Sequence, residues 1–218
     1  MPKQNLQKSF FNQITGKEKV SNAQIKVYKD LVYNNFYDLI VNAFPLFYTK
    51  VQEHKLKKEL KKSIYAFMQT EAKTPFIWKM ANEYRKFIKK NRFFTHVHYL
   101  NDLLLFEYSE LYVFMQKTHC KKQSKYSFKK KYALSKSIFL KQYQYNILNH
   151  SYEQAEDLYV LTYFDDELME VAYLPINQVM YLFLKQIDGT LSLQKNLKAF
   201  CAKYGLDYVM HKESFKFA

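Results

Sequence analysis

The spacing of apolar residues changes part-way along the chain, and this change limits the folds that the chain can adopt. From about residue 3 to residue 118, apolar residues recur every three or four positions, as on one face of an α-helix. After residue 136 they follow more nearly the two-residue period of a half-buried strand. The sequence therefore predicts an α+β protein with an all-α helical domain over residues 1–120 and a small α+β module over residues 136–218.

A lysine-rich segment separates these two patterns. Residues 121–131 contain six Lys together with Gln, Ser and Tyr. Such a strongly charged stretch is typical of a solvated connection between domains. We therefore predict a linker over residues 121–135.

Capping residues and prolines predict where the helices of the first domain begin. Ser21 precedes a periodic apolar run and is the predicted N-cap. Pro45 is expected to break that helix. Thr74 and Pro75 form a start signal, because proline is favoured at the first helical position. The last helix of the domain is predicted over residues 99–117.

The second module is predicted to place its strands before its helices, as in a winged-helix-like or peptide-recognition-like module. Strands are expected at residues 137–143, 158–164 and 168–174, with a turn at Asp165 and Asp166. Helices are expected from Pro175 to Ile187 and from Ser192 to Tyr204, separated by a turn at Asp188 and Gly189 and closed by Gly205. A short final strand is predicted at residues 206–210.

The net charge of +14 indicates an anionic partner, but the kind of cation matters. The chain has 34 basic residues, of which only Arg85 and Arg92 are arginines. Direct reading of bases favours the planar fork of arginine, whereas lysine serves well for phosphate contacts. The composition therefore argues against sequence-specific DNA recognition and leaves nonspecific phosphate contact open.

Cysteine usage and hydropathy predict a soluble cytoplasmic protein. Cys120 and Cys201 are the two cysteines, fewer than a disulfide-stapled secreted domain usually carries. No uninterrupted apolar run approaches the roughly 18 residues that a membrane span needs. We therefore expect reduced thiols and no membrane partner.

The motifs of common enzyme classes are missing from the sequence. Only three glycines occur, and none forms a phosphate-binding loop or a Gly-x-Ser-x-Gly elbow. His96 and His98 have no further ligands at the spacing of a metal site, so we interpret them as surface or helix-entry histidines. No catalytic residue, metal site or bound cofactor is predicted.

Two carboxylates interrupt the apolar helix predicted at residues 99–117. Asp102 and Glu107 are five positions apart and therefore about 140° apart around a helix, too far to act as a pair. They are interpreted either as buried acids paired with Lys or Arg, or as contacts to a partner subunit.

The predicted hairpin at residues 158–174 suggests a peptide-binding edge. An open strand edge can accept an extended peptide as an additional strand. The alternative is an edge protected by a neighbour or by its own charges. The predicted peptide contacts are Tyr159, Leu161, Tyr163, Met169 and Val171.

Residues in about the first half of the chain carry a family resemblance. The residues concerned are Phe44, Pro45, Pro75, Tyr84 through Phe87, Tyr99, Leu100, Asp102, Leu103, Glu107 and Tyr108. In their order and spacing, these residues resemble a bacterial family once described as DNA-binding. Its members are partner subunits of multinuclear non-heme iron oxidases that modify ribosomal peptides. The chain differs from many relatives in being Lys-rich and in having Tyr108 where Trp is common.

The resemblance implies a division of labour between two proteins. It implies that an iron oxidase partner holds the iron and oxidises the peptide, while this noncatalytic chain docks on the oxidase and engages the precursor peptide, as in methanobactin biosynthesis and the bufferin pathways. The expected partner contacts are Asp102, Glu107 and Arg85. The competing hypotheses are a DNA-binding transcriptional regulator, in which nucleic acid is the partner, and a protein with only a scaffolding role.

Overall fold

The structure confirms the α+β class with a helical N-terminal part. The computed structural model describes residues 2–70, 76–116 and 127–214. Two compact units form, Met1–Leu111 and Tyr112–Ala218, so the division falls within a single helix. Of the predicted linker, 121–126 lies outside the described residues, and Lys131–Ala133 is a strand of the second unit.

The first unit is built from helices. They are α1 Pro2–Thr15, α2 Ala23–Ala43, α3 Pro45–Glu53, α4 Lys57–Met68, α5 Ile77–Lys90 and α6 Leu100–Met115, whose last four residues belong to the second unit. α2 is the central helix and packs against α1, α3, α4 and α5. Among the described residues, no helix combines the length and apolarity that crossing a membrane requires.

The helix boundaries correct one prediction and confirm another. The N-cap of α2 is Asn22, whose side-chain oxygen accepts from the amide of Ile25 at 2.9 Å, so the prediction of Ser21 was wrong by one residue. Helix α2 ends before Pro45, as predicted, and Pro45 lies in the first turn of α3. Thr74 and Pro75 lie outside the described residues.

Aromatic rings fill the core of the first unit. The Phe67 ring packs edge-on against Tyr84 with centroids 5.3 Å apart, and Phe47 does the same with Phe94 at 5.3 Å. Tyr84 is fully buried, and its hydroxyl shares a hydrogen bond of 2.8 Å with Ser63. This bond allows a polar ring tip to lie in an apolar core.

The described residues of the second unit form two small antiparallel sheets. β2 Phe139–Tyr143, β3 Leu158–Asp165 and β4 Glu170–Ile176 form a meander with β3 in the centre. β1 Lys131–Ala133 pairs separately with β5 Asp188–Ser192. α7 Gln178–Leu184 lies between β4 and β5, and α8 Leu193–Tyr204 and α9 Tyr208–Ser214 follow.

Three local predictions in this unit were wrong. The predicted helix from Pro175 begins at Gln178, because Pro175 lies in β4 and Asn177 supplies the cap. Asp188 and Gly189 begin strand β5 instead of forming only a turn. Residues 206–210 were predicted as a strand but lead into α9, because the Asp207 carboxylate accepts from the amides of Val209 and Met210.

β5 also overturns the predicted order of strands before helices, since it falls between two helices. Its partner β1 is about 60 residues earlier, and the pairing continues as Leu193 donates its amide to the Lys130 carbonyl at 2.9 Å. The prediction of α8 was confirmed, with Ser192 as its N-cap and Gly205 left-handed at its end. α7 and α8 share a core around Phe183 and Phe200, whose rings are 5.4 Å apart.

The α2 cap provides a matched test of the corrected helix start. Asn22→Ala removes the side-chain acceptor for the Ile25 amide and should lower the unfolding free energy of the first unit by about 1 kcal/mol. Ser21→Ala is the control and should change it by less than about 0.5 kcal/mol. The fluorescence of Trp78, the one tryptophan, reports urea unfolding of this unit. Equal destabilisation by both variants would contradict the assignment.

Candidate peptide-binding edge and partner surface

The predicted hairpin is formed by β3 and β4. One oxygen of the Asp165 carboxylate accepts from the amides of Glu167 and Leu168 at 2.8 and 3.1 Å, which stabilises the turn. Met169 has a φ of +57°, a left-handed conformation that allows the chain to turn back. Leu168 and Met169 are 67% and 61% exposed, so the turn presents apolar side chains to solvent.

The five predicted peptide contacts do not share one surface. Tyr159, Leu161 and Tyr163 alternate along β3 and therefore lie on one face of the sheet. Val171 is paired with Phe164 and lies on the opposite face, whereas Met169 lies in the turn. Tyr159 is buried, with its ring 4.9 Å from that of Tyr181 on α7. The structure thus brings together three of the five, and buries one of those three.

Within the described sheet, β4 is an edge strand and β3 is the central one. The backbone of β3 pairs on both sides, so an added strand would have to join at β4 or β2. Pro175 lies near the end of β4 and has no amide to donate, which is typical of edge strands. The part of β4 that can offer a full ladder is therefore residues 170–174.

The hairpin belongs to an acidic stretch of a basic chain. Residues 142–184 include seven carboxylates and neither Lys nor Arg. Asp166, Glu167 and Glu170 are exposed around the β3–β4 turn. The local charge is thus opposite to the net charge of +14, and it favours basic ligands at this edge.

Glu107, predicted as a partner contact, is instead a buried cap on α3. Its side chain is 5% exposed, and its two oxygens accept from the amides of Leu46 and Phe47 at 2.6 and 3.0 Å. The sequence predicted a Lys or Arg partner for a buried acid at this position, whereas the partners are backbone amides at the start of a helix. A proline at the start of a helix, as Pro45 is here, is the signal that could have suggested them.

The surroundings of Glu107 shift its proton affinity strongly. Burial raises the pKa of this carboxyl group to about 7, although the two amide hydrogen bonds act to lower it. Desolvation therefore outweighs the hydrogen bonds, and the group titrates near neutral pH.

The other two predicted partner contacts lie partly exposed on the first unit. The Arg85 guanidinium lies 5.3 Å from the centre of the Tyr108 ring and donates to the Asn82 side chain at 2.8 Å. Asp102 is half-buried near the start of α6. Of the three predicted contacts, Arg85 and Asp102 keep the exposure that a partner contact needs, and Glu107 does not.

A separate apolar depression on the first unit was not anticipated from the sequence. Its lining comes from α2, α5 and α6 and consists of Asn35, Leu39, Asn42, Ala43, Ile77 and Leu111. Ile77 is well exposed at the start of α5. Asn35, Leu39, Asn42 and Ala43 recur at the spacing of one helix face, and this spacing is the sequence signal that could have suggested the surface.

Residues capable of binding metal are dispersed in the part of the chain that the structure describes. No three His, Cys, Asp or Glu side chains there form a group that could hold an ion. Cys201 is buried in the second unit, and burial raises the pKa of its thiol. Cys120 lies outside the described residues.

Comparison with known proteins adds no assignment to this geometry. The chain matches no protein-family model, and no curated protein matches it.

The titration of Glu107 predicts a specific pH dependence of stability. The pKa of about 7 in the folded state exceeds the ordinary 4.5, so the folded state binds a proton more tightly than the unfolded state. This difference stabilises the folded state fully below pH 4.5, and the stabilisation is lost as the pH rises towards 7. Relative to Glu107→Gln, the unfolding free energy of the native chain should fall by about 3 kcal/mol over that range and just above it.

Urea unfolding followed by Trp78 fluorescence at several pH values tests this expectation. Glu83→Gln is the matched control, because it removes a carboxylate from α5 and leaves the cap intact. Parallel pH profiles for the native chain and Glu107→Gln would contradict the titration.

Proposed function

We propose that this chain is a noncatalytic partner subunit of an iron-dependent oxidase that modifies ribosomal peptides. In this proposal the oxidase holds the iron, and this chain binds the precursor peptide and brings it to the oxidase. The single observation that supports the proposal most is the position of β4 at the edge of the sheet that the described residues form, because an edge strand is the place where β-augmentation occurs.

The charge of the hairpin narrows the class of peptide. Seven carboxylates without an intervening cation in residues 142–184 favour a precursor whose bound segment is basic. The exposed Leu168 and Leu174 add apolar contacts at the turn and along β4. The proposed ligand is therefore an extended segment in which basic and apolar residues alternate.

The proposed setting is a cytoplasmic complex for a copper-binding peptide such as methanobactin. The family resemblance of the first half of the chain supports this setting. On the first unit, Arg85 and Asp102 remain the proposed contacts with the oxidase, and Glu107 is withdrawn because it is buried.

A DNA-binding regulator is the second candidate, and the net charge of +14 is the observation that favours it. It predicts protection of a defined DNA site, whereas the first proposal predicts a stable complex with an iron protein. The shortage of arginine weakens the regulator hypothesis, since major-groove reading relies on it.

Co-expression provides the first test of the partner proposal. A tagged chain should co-purify, at a fixed stoichiometry, with an iron oxidase encoded beside its gene, and iron should follow the complex through size exclusion. A metal-free peak containing this chain alone, despite soluble oxidase in the lysate, would count against the proposal.

The edge-strand placement makes a separate prediction. Val171→Pro should lower the affinity for the precursor peptide encoded beside the gene, because proline cannot donate to a strand ladder. The matched control is Gln142→Pro, on the edge strand β2 at the other side of the same sheet, where the pairing register gives the amide the same orientation relative to β3 as that of Val171. Calorimetry should show at least tenfold weaker binding for the first variant only.

A second variant avoids any change in the backbone. Replacing Asp166, Glu167 and Glu170 with their amides should also weaken binding, and more so at low salt. Unchanged affinity in both this variant and a folded Val171→Pro variant would refute the placement at β4.

A further inference from the structure

Two segments from distant parts of the sequence meet at one end of the first unit. The Glu59 carboxylate at the start of α4 accepts from the amide of Phe94 at 2.6 Å, in the loop after α5. In the same two segments, His54 after α3 and the Tyr99 hydroxyl before α6 share a hydrogen bond of 2.6 Å. These bonds place the α3–α4 junction beside the loop between α5 and α6.

This junction brings two cation-rich segments to one end of the first unit, which we name the basic end. Its exposed cationic side chains are Lys55, Lys57, Lys58, Lys89, Lys90 and Arg92. The same segments include the exposed histidines His54, His96 and His98. No local sequence pattern predicts that residues 55–58 and 89–92 meet, since about 30 residues separate them.

The carboxylates at the basic end already have partners. Residues 50–62 and 85–99 include only Glu53 and Glu59 as acids. Glu53 forms an ion pair with Lys50 at 2.7 Å. Glu59 accepts from the Phe94 amide with one oxygen, and its other oxygen lies 3.7 Å from the His96 ring. The six cations of the basic end therefore keep a net positive field that can attract an anion.

Two of these cations stand where the backbone favours glycine. Lys55 and Arg92 have φ of +59° and +55°, and each follows the C-terminus of a helix, α3 and α5 respectively. A left-handed conformation costs a non-glycine residue roughly 1–2 kcal/mol. Positive charge at a helix C-terminus offsets part of that cost through the helix dipole.

The surroundings of the cations indicate the chemistry of the partner. The large apolar side chains that are well exposed in the described chain lie elsewhere, and none falls within residues 50–62 or 85–99. A membrane surface or a folded protein partner would ordinarily engage apolar side chains at such a site. A phosphodiester backbone requires only cations, and lysines bind phosphate as point charges.

We propose that the basic end binds the phosphate backbone of a nucleic acid without regard to sequence. The inference is independent of the peptide-binding proposal, because it concerns a different unit and different side chains. It also differs from a regulator that recognises a defined site, because it assigns no base contact to any residue.

A salt titration of binding to labelled DNA tests the inference. The probes are two short fluorescein-labelled duplexes of unrelated sequence, measured by anisotropy with the full chain. The native chain should bind both with equal affinity. Two double variants reverse the charge of adjacent lysines, one with Lys57→Glu and Lys58→Glu and the other with Lys89→Glu and Lys90→Glu. Each should weaken binding at least tenfold and reduce the slope of log affinity against log salt by about two.

The matched control reverses two lysines at the opposite end of α4. Lys17 and Lys19 are exposed near Gly16, whose carbonyl accepts from the Gln69 side chain just beyond the C-terminus of α4. Their double reversal changes the net charge equally and should leave the native affinity within about twofold if position matters. Equal losses from all three double variants would overturn the basic end as the site.

Two further outcomes would also overturn the inference. One is the absence of binding at low salt, and the other is displacement of the duplex by polyglutamate more readily than by unlabelled duplex, which would indicate an acidic protein segment. Arg92→Gly separates charge from folding, because it relieves the backbone strain and removes a cation. It should preserve or raise stability while weakening DNA binding, and unaltered binding would remove Arg92 from the site.

Discussion

The buried Glu107 carboxylate at the start of α3 is the interaction on which the first unit depends. Pro45 has no amide, and the amides of Leu46 and Phe47 have no partner within the helix at its first turn. Leaving a buried amide unpaired costs roughly 1–3 kcal/mol. Glu107 satisfies both and ties α6 to α3 across 60 residues, at the expense of placing a carboxylate in an apolar core. The unit is thus held together by a group whose charge is itself sensitive to pH.

The elements that the sequence predicted well are those specified by neighbouring residues. β3 and its turn follow from a run of β-branched and aromatic residues next to Asp165, and α8 from Ser192 and Gly205. β5 could not be predicted in this way, because the strand that it pairs with, β1, lies about 60 residues away. The strand wrongly predicted at residues 206–210 shows the opposite error, since a capping Asp207 outweighed an apolar alternation.

The candidate sites also differ in whether neighbouring or distant residues determine them. The local pattern predicted the position of the hairpin, but it could not predict which of its strands would be central in the sheet. Three of the predicted peptide contacts therefore lie on β3, whose backbone is paired with a strand on each side. The basic end could not be predicted from the sequence, because it depends on the hydrogen bond between Glu59 and the Phe94 amide, which joins distant segments. Glu107 was recognised as unusual, but its role depended on a helix start that lies 60 residues earlier.

Net charge is a poor guide to what this protein binds, because positive and negative side chains are concentrated in different stretches of the chain. The first unit exposes six cations at its basic end, whereas residues 142–184 include seven carboxylates and no Lys or Arg. Each surface attracts the kind of ligand that the other repels. A basic peptide at β4 and a phosphate backbone at the basic end would use different side chains, so neither would occupy the site of the other. The value of +14 therefore does not describe the acidic stretch, which prefers ligands of the opposite charge.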